Sequence, residues 1–407
     1  MPLEVWEHVL DCLKDEPRTL RATEVVCKAW RPRSRFHLNS TGINDEGSRY
    51  LYGNEDAYPF GMLLQADPRG RRMLAFMYVE GRTAEDGRQG SLAHLGTVAA
   101  TLARFAPFLE NFEIRNGQWM AGTIHQDVFL HLSAFTSVKE LWLNGVTFPS
   151  ITVFGRLVCS LGSLGRLEIT GPLTFTDSRL PSSRRRWAFP PVLVKLGVTA
   201  RVSLDVFRSP VVIKPVNQYK FIDFTSAPLE VFQSLLIRRL LKNNRSSLER
   251  FSIDLSSLLS MSGTAVHDLV GRNLDLSRNT VLRALSLYPF LEERHLTTTS
   301  TYDVYQQIIS TTSPDSLETV DIRCSLRSTQ GSTSDVLGFL NRLCREFSPL
   351  DRVLSPERYT ALRIVGFCVN CDEKFRESLE DHWNTLAAIH FANLHARKLV
   401  RLYLSDR

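Results

Sequence analysis

SVKELWL (137–143) and SLGRLEI (163–169) carry one phrase, an apolar residue, two others, a second apolar residue, one other, and a third apolar residue. FLENFEI (108–114), SLERFSI (247–253), VLRALSL (281–287) and SLETVDI (316–322) repeat it, and VLVKLGV (192–198), YKFIDF (219–224), ALRIVGF (361–367) and KLVRLYL (398–404) are weaker copies. One copy decides nothing, because a loose three-position pattern recurs by chance in any long chain. Spacing decides. The first apolar positions fall at 109, 138, 164, 193, 219, 248, 282, 317, 362 and 399, so the opening steps are 29, 26, 29, 26 and 29 residues and the later ones 34, 35, 45 and 37.

The fourth and sixth positions, Leu141 and Leu143 in one copy, lie two apart and point to one face of a strand. Lys139, Glu140, Trp142 and Asn144 then belong to the opposite, concave face. Helical stretches such as PLEVFQSLLIRRLLKN (228–243) and SDVLGFLNRLCREF (334–347) separate the phrases. A short strand alternating with a helix at fixed period predicts an α/β fold of parallel strands joined by right-handed crossovers. The period and phrase resemble a leucine-rich repeat. The resemblance is to an irregular one: the Asn or Cys expected just past the last leucine is almost absent, with Asn370 a lone match, and the steps lengthen after residue 282. The expected solenoid spans 100–407.

Upstream, Leu3, Trp6, Val9, Leu10 and Leu13 fall at helical spacing with charged residues between them, and Pro2 stands where a first-turn proline is tolerated. Asp15-Glu16-Pro17 ends this helix and begins a second, in which Leu20, Val25, Val26, Cys27, Ala29 and Trp30 are apolar until Arg31-Pro32 stops it. Pro2, Leu3, Glu4, Val5, Val9, Leu10 and Leu13, then Thr19-Leu20 and Val25-Val26-Cys27-Lys28-Ala29-Trp30, resemble an F-box of the type abundant in fungi. The departure is Met1 in place of the leucine before the proline. The resemblance implies residues 1–40 as an F-box that docks on a Skp-family adaptor and through it on a cullin–RING ligase. Pro2, Leu3, Val5, Val9, Leu20, Val26 and Trp30 are the expected adaptor-contact or supporting positions. Physics concurs that a helical segment of about forty residues must lay its apolar face on something. The alternative is a non-catalytic leucine-rich-repeat scaffold whose helical start only caps the solenoid.

Residues 41–99 read as a linker and lead-in without repeats, in which MLAFMYV (73–79) could supply an early strand. RLPSSRRRWAFPP (179–191) reads as an exposed insertion. Its Arg184-Arg185-Arg186 and Trp187 could bind phosphate or serve as a nuclear address, or simply solvate a loop; Lys28, Arg31, Arg33 and Arg35 make a second basic cluster, expected to solvate the end of the short helix.

With 49 Lys+Arg against 43 Asp+Glu, the net charge of +6 is too dilute over 407 residues to point to nucleic acid. Seven cysteines, an odd and sparse set, fit a reducing compartment, and no apolar run suits a signal peptide or a membrane helix. The expectation is an intracellular chain, cytoplasmic or nuclear, in which the sequons at Asn39 and Asn244 go unused. Cys368-Val-Asn-Cys371 has a metal-site gap, but His382, His390 and His395 follow at no matching spacing, so two free thiols on a repeat strand are expected. No nucleophile elbow, metal-binding helix or phosphate loop occurs. The expected protein is a substrate-recognition adaptor with no enzymatic activity, cofactor or metal, whose substrate-binding residues the sequence leaves unknown.

Overall fold

The structure, a computed structural model, describes residues 3–13, 16–31, 33–34, 43, 47–81, 89–177, 193–198, 219–225, 229–233, 235–256, 263–288, 300–325, 333–355 and 357–405. The insertion at 179–191, with Arg184, Arg185, Arg186 and Trp187, lies outside them, as do Pro2, Arg35 and Asn39. The chain forms two compact units, one over Met1–Leu164 and one over Gly165–Leu180 with Val192–Arg407. The stretch 100–407, read as one array, is therefore shared between them.

In the first unit, β1 (Ser48–Leu51), β2 (Phe76–Glu80), β4 (Asn111–Gln118) and β5 (Glu140–Ser150) pair in that order, all parallel. A two-residue strand β3 (Gly90–Ser91) pairs with the far end of β4. Helices Asn54–Ala66, Pro68–Met73, Leu95–Leu102 and Val128–Leu132 fill the crossovers. Met77, Phe112 and Leu141 stand in register as one buried column, and Leu51, Val79, Ile114 and Leu143 as a second. Ala57, Phe60, Leu64, Val98, Ala99 and Leu102 on the helices complete the core.

The repeats thus begin well before residue 100, which corrects the expectation that 41–99 holds none. Leu74, Met77 and Val79 form a full phrase, with methionine at the fourth position. The first copy is hidden for a different reason. At its fourth position stands Arg49, aligned with Met77, its guanidinium carbon 5.1 Å from the centre of the Phe60 ring. Arginine buries its aliphatic stem where leucine would sit, and burial lowers its pKa.

In the second unit, β6 (Arg166–Ile169), β8 (Lys195–Val198), β9 (Phe221–Phe224), β10 (Arg250–Asp254), β11 (Ala284–Tyr288), β12 (Thr319–Ser325), β13 (Ile364–Asn370) and β14 (Val400–Ser405) pair in sequence order, again parallel. β7 (Leu173–Asp177) stands off this path. From β9 onward the described parts of the crossovers carry helices, including Leu235–Asn243, Gly263–Asn273, Ser300–Ser310, Thr333–Phe347 and Arg376–His390. The ten phrases lie on strands, but the last is out of phase: Val400, not Leu402, aligns with Val365, and Leu402 aligns with Phe367. The column thus passes through a residue that the phrase 398–404 leaves between its apolar positions. The other phrases of this unit share one phase. Their fourth positions align as Leu167, Leu196, Ile222, Phe251, Leu285, Val320 and Val365, every one buried. Parallel strands alternating with helices in this phase make the fold α/β and leucine-rich-repeat-like.

Buried asparagines appear on the other side of the phrase from the expected one. Asn244 accepts from the Tyr219 backbone N–H at 2.9 Å and donates to the Leu240 carbonyl at 2.8 Å. Asn279 donates to the Leu241 carbonyl at 3.2 Å, and Asn273 to that of Phe232 at 2.6 Å. Each ties the end of a helix to a neighbouring repeat and satisfies backbone groups that burial would otherwise leave unpaired. Asn244 is 1% exposed with donor and acceptor both engaged, so in the folded chain its sequon is closed.

Candidate functional site

Two places carry chemistry that packing alone does not require: the helical head and the solvent face of the second unit's sheet. In the head, helix Leu3–Cys12 is followed by helix Pro17–Val26, with Pro17 in its first turn. The second helix stops at Val26, earlier than Arg31-Pro32, because Cys27 turns extended; Lys28–Trp30 form a turn. That turn lays Trp30 on Trp6, ring centroids 4.5 Å apart. Arg33 closes the head with a bidentate ion pair to Asp11, Nε–Oδ1 2.6 Å and Nη2–Oδ2 2.7 Å. Arg33 therefore has a structural job, beyond the solvation expected of its basic cluster.

The expected contact residues separate by burial. Val5 and Val9, one helical turn apart, are 44% and 41% exposed, and Val26 is 67% exposed beside Val25 at 83%. Leu20 is buried with Leu10, so it supports the head from inside. Trp30 is half-buried against Trp6, and Leu3 begins the first helix.

On the second unit's sheet, residues flanking the buried columns form rows on the open face. One row runs Arg166, Lys195, Phe221, Arg250, Ala284, Thr319; the next, two residues along, runs Glu168, Gly197, Asp223, Ser252, Ser286, Asp321, Gly366. Two glycines leave room for carboxylates from the strand before. A Cβ at Gly197 would meet Glu168 Oε2 at 1.6 Å, and one at Gly366 would meet Asp321 Oδ1 at 2.4 Å. Glu168 is buried and held by Arg166 Nε at 2.6 Å and Lys195 Nζ at 3.4 Å.

Toward the middle of the rows the side chains shrink to Ser252, Ala284 and Ser286, and a cavity of about 300 Å³ opens over them, bounded by Asp223, Arg250, Tyr288, Thr319, Asp321 and Arg323 among others. Burial pushes the carboxyls of Asp223 and Asp321 above the usual range; at Asp223 a hydrogen bond with Thr225 opposes the shift, Glu168 adds to it and Lys195 and Arg323 oppose it, while Arg323, the Ser286 hydroxyl and Arg250 oppose it at Asp321. Asp223 Oδ1 is buried with no hydrogen-bond partner. Arg250 lies over Phe221 at 5.6 Å and Arg323 over Tyr288 at 4.8 Å. The arrangement suits recognition by hydrogen bonds and charge.

Cys368 lies on β13 and Cys371 is buried just past it; burial pushes the Cys368 thiol up to about 11, away from a reactive thiolate. Among the described residues, no group of three or more His, Cys, Asp or Glu stands where it could hold a metal ion, and no helix is long and apolar enough to cross a membrane. Sequence reasoning missed the cavity. Its only signal was small residues, Ser252, Ala284 and Ser286, at outward positions of consecutive phrases.

No protein-family model matches this chain, and a search of curated proteins finds no match. Among solved structures, the crystal structure of the mouse RP105/MD-1 complex is similar at 10% identity and a TM-score of 0.26, covering 76% of this chain and 41% of that chain. This chain thus spans less than half the length of that one. A likeness at that score carries no argument, and the fold class stands on the strand register.

Proposed function

We propose that this chain is the substrate-recognition adaptor of an SCF-type ubiquitin ligase. The helical head, with its resemblance to an F-box, docks on a Skp-family adaptor that leads to a cullin–RING ligase, and the open strand faces hold a protein substrate. The observation that supports this is the head's exposed apolar surface: Val5, Val9, Val25 and Val26 face solvent while Leu10 and Leu20 are buried. Association removes such surface from water at about 25 cal/mol per Å². The chain itself does no bond chemistry; it raises the effective concentration of a substrate lysine near the transfer site. It works in the cytoplasm or nucleus, where that machinery resides.

Co-expression with a Skp-family adaptor tests the reading. The wild type co-purifies with the adaptor, and Val9→Asp with Val26→Asp abolishes this without changing the melting temperature of the chain. A wild type that never binds the adaptor refutes the proposal and leaves the scaffold reading, in which the head is a cap.

A further inference from the structure

We propose that the cavity over Ser252, Ala284 and Ser286 receives an acidic side chain from an extended segment of a partner protein, with Arg323 as the principal cation and Arg250 as the second. The inference rests on the reading that the open face of the second unit holds a protein, and is independent of what the helical head binds.

The argument starts from a contrast within the chain. Among the described residues, three strands place an acidic residue and an arginine two positions apart on the open face. On β4, Arg115 pairs with Glu113, and on β6, Arg166 pairs with Glu168, Nε–Oε1 2.6 Å. On β12 the same spacing, Asp321 and Arg323, forms no such pair. Arg323 is drawn aside onto the Tyr288 ring at 4.8 Å, and Asp321 Oδ2 lies 3.4 Å from the Ser286 hydroxyl instead. An arginine stacked on a ring keeps its in-plane N–H edge for a bidentate acceptor. Arg250, exposed on Phe221, is placed likewise, and among the described residues neither makes an ion pair.

Depth decides the sign of the ligand. Asp223 and Asp321 are sunk at the floor, where burial raises their pKa values and so weakens their claim on a cation. Arg250 and Arg323 are exposed at the rim, so an arriving group meets guanidinium first. A carboxylate accepts from their N–H edges, and the segment's own backbone N–H groups have Asp223 and Asp321 as acceptors below. The small residues between leave room for a side chain, with hydroxyls of Ser252, Ser286 and Thr319 lining it.

The test uses the full chain and a phage-displayed library of random dodecapeptides. The expected result is enrichment of peptides with Asp or Glu at a fixed position, and a loss of about tenfold or more in their affinity on Arg323→Ser, the effect of removing one charge-assisted bidentate pair. Arg323→Lys restores part of it, and Arg250→Ser costs less. Enrichment of basic or purely apolar peptides, no enrichment, or equal binding by Arg323→Ser overturns the proposal. Arg323→Ser is checked for an unchanged melting curve, and it leaves adaptor co-purification intact, so failure here and failure of the docking head give different results.

Discussion

Leu285→Ala is the sharpest test of the repeat phasing. Leu285 is fully buried at the fourth position of its phrase, in register with Phe251 on one side and Val320 on the other. The substitution removes three carbons, worth about 2.4 kcal/mol at roughly 0.8 kcal/mol each. Strands on both sides fix the backbone, so the site cannot collapse far; a residual void of roughly 60 Å³ adds about 1.4 kcal/mol at ~24 cal/mol per Å³. The expected cost is therefore about 3–4 kcal/mol. For a unit of this size each kcal/mol lowers the midpoint by about 2–4 °C, so the second unit's transition should fall by roughly 7–15 °C. Circular dichroism melting reads it, with Ile389→Ala as control, because Ile389 is 66% exposed and its loss should stay within about 0.5 kcal/mol. Equal shifts for the two variants would mean that the apolar column is misassigned.

Leu20→Ala should cost about 2–5 kcal/mol and Val26→Ala under about 0.5, since one is buried and the other exposed; urea titration of each compares them. Asp223→Asn should stabilise at neutral pH. Folding raises the Asp223 pKa, so the contribution of this group to stability is fully present below the unfolded value near ~3.9 and is lost as pH rises through the folded pKa. The advantage of the variant should therefore grow from about pH 4 upward and vanish at about pH 3, in melting curves across that range; an advantage confined to acid would refute the assignment. Gly197→Ala should destabilise by driving Glu168 off Arg166 and Lys195, and Glu168→Ala in the same chain should remove most of that effect in a double-mutant cycle. Asn244→Ala should cost about 1–3 kcal/mol by stranding the Tyr219 N–H, measurable by denaturant melting with hydrogen exchange at that amide.

Much of the fold was readable because the sheet repeats one demand on every strand. Leu167, Leu196, Phe251 and Leu285 each meet the same core, so period and phrase show through variable intervening sequence. Where another residue met that demand, the pattern vanished: Met77 is apolar but fell outside the phrases read as such, and Arg49 satisfies the column with its stem. The second helix of the head was drawn too long because Lys28 and Ala29 are good helix formers, while the turn that follows Cys27 is set by Trp30 reaching Trp6 and Arg33 reaching Asp11. These are contacts between residues far apart in sequence, which local propensity does not encode. The open-face cavity was illegible for a related reason. Whether Arg323 closes on Asp321 or stacks on Tyr288 depends on which residue of β11 stands beside β12, and that register exists only in the assembled ladder.

The ladder has a consequence for the order in which the chain is made. Phe251 and Leu285 stand side by side across it, as do Leu285 and Val320, and each pair belongs to consecutive repeats. No strand from β8 to β13 has to wait for a partner several repeats away, which is unusual for a parallel sheet, where distant pairing commonly slows assembly. Within the second unit, each newly synthesised repeat can stack on the one already out of the ribosome, and the Asn244 and Asn279 links close as the next helix end arrives. Translation speed through the segments between strands, more than any search among distant pairings, should then set how long an apolar column stays bare during synthesis.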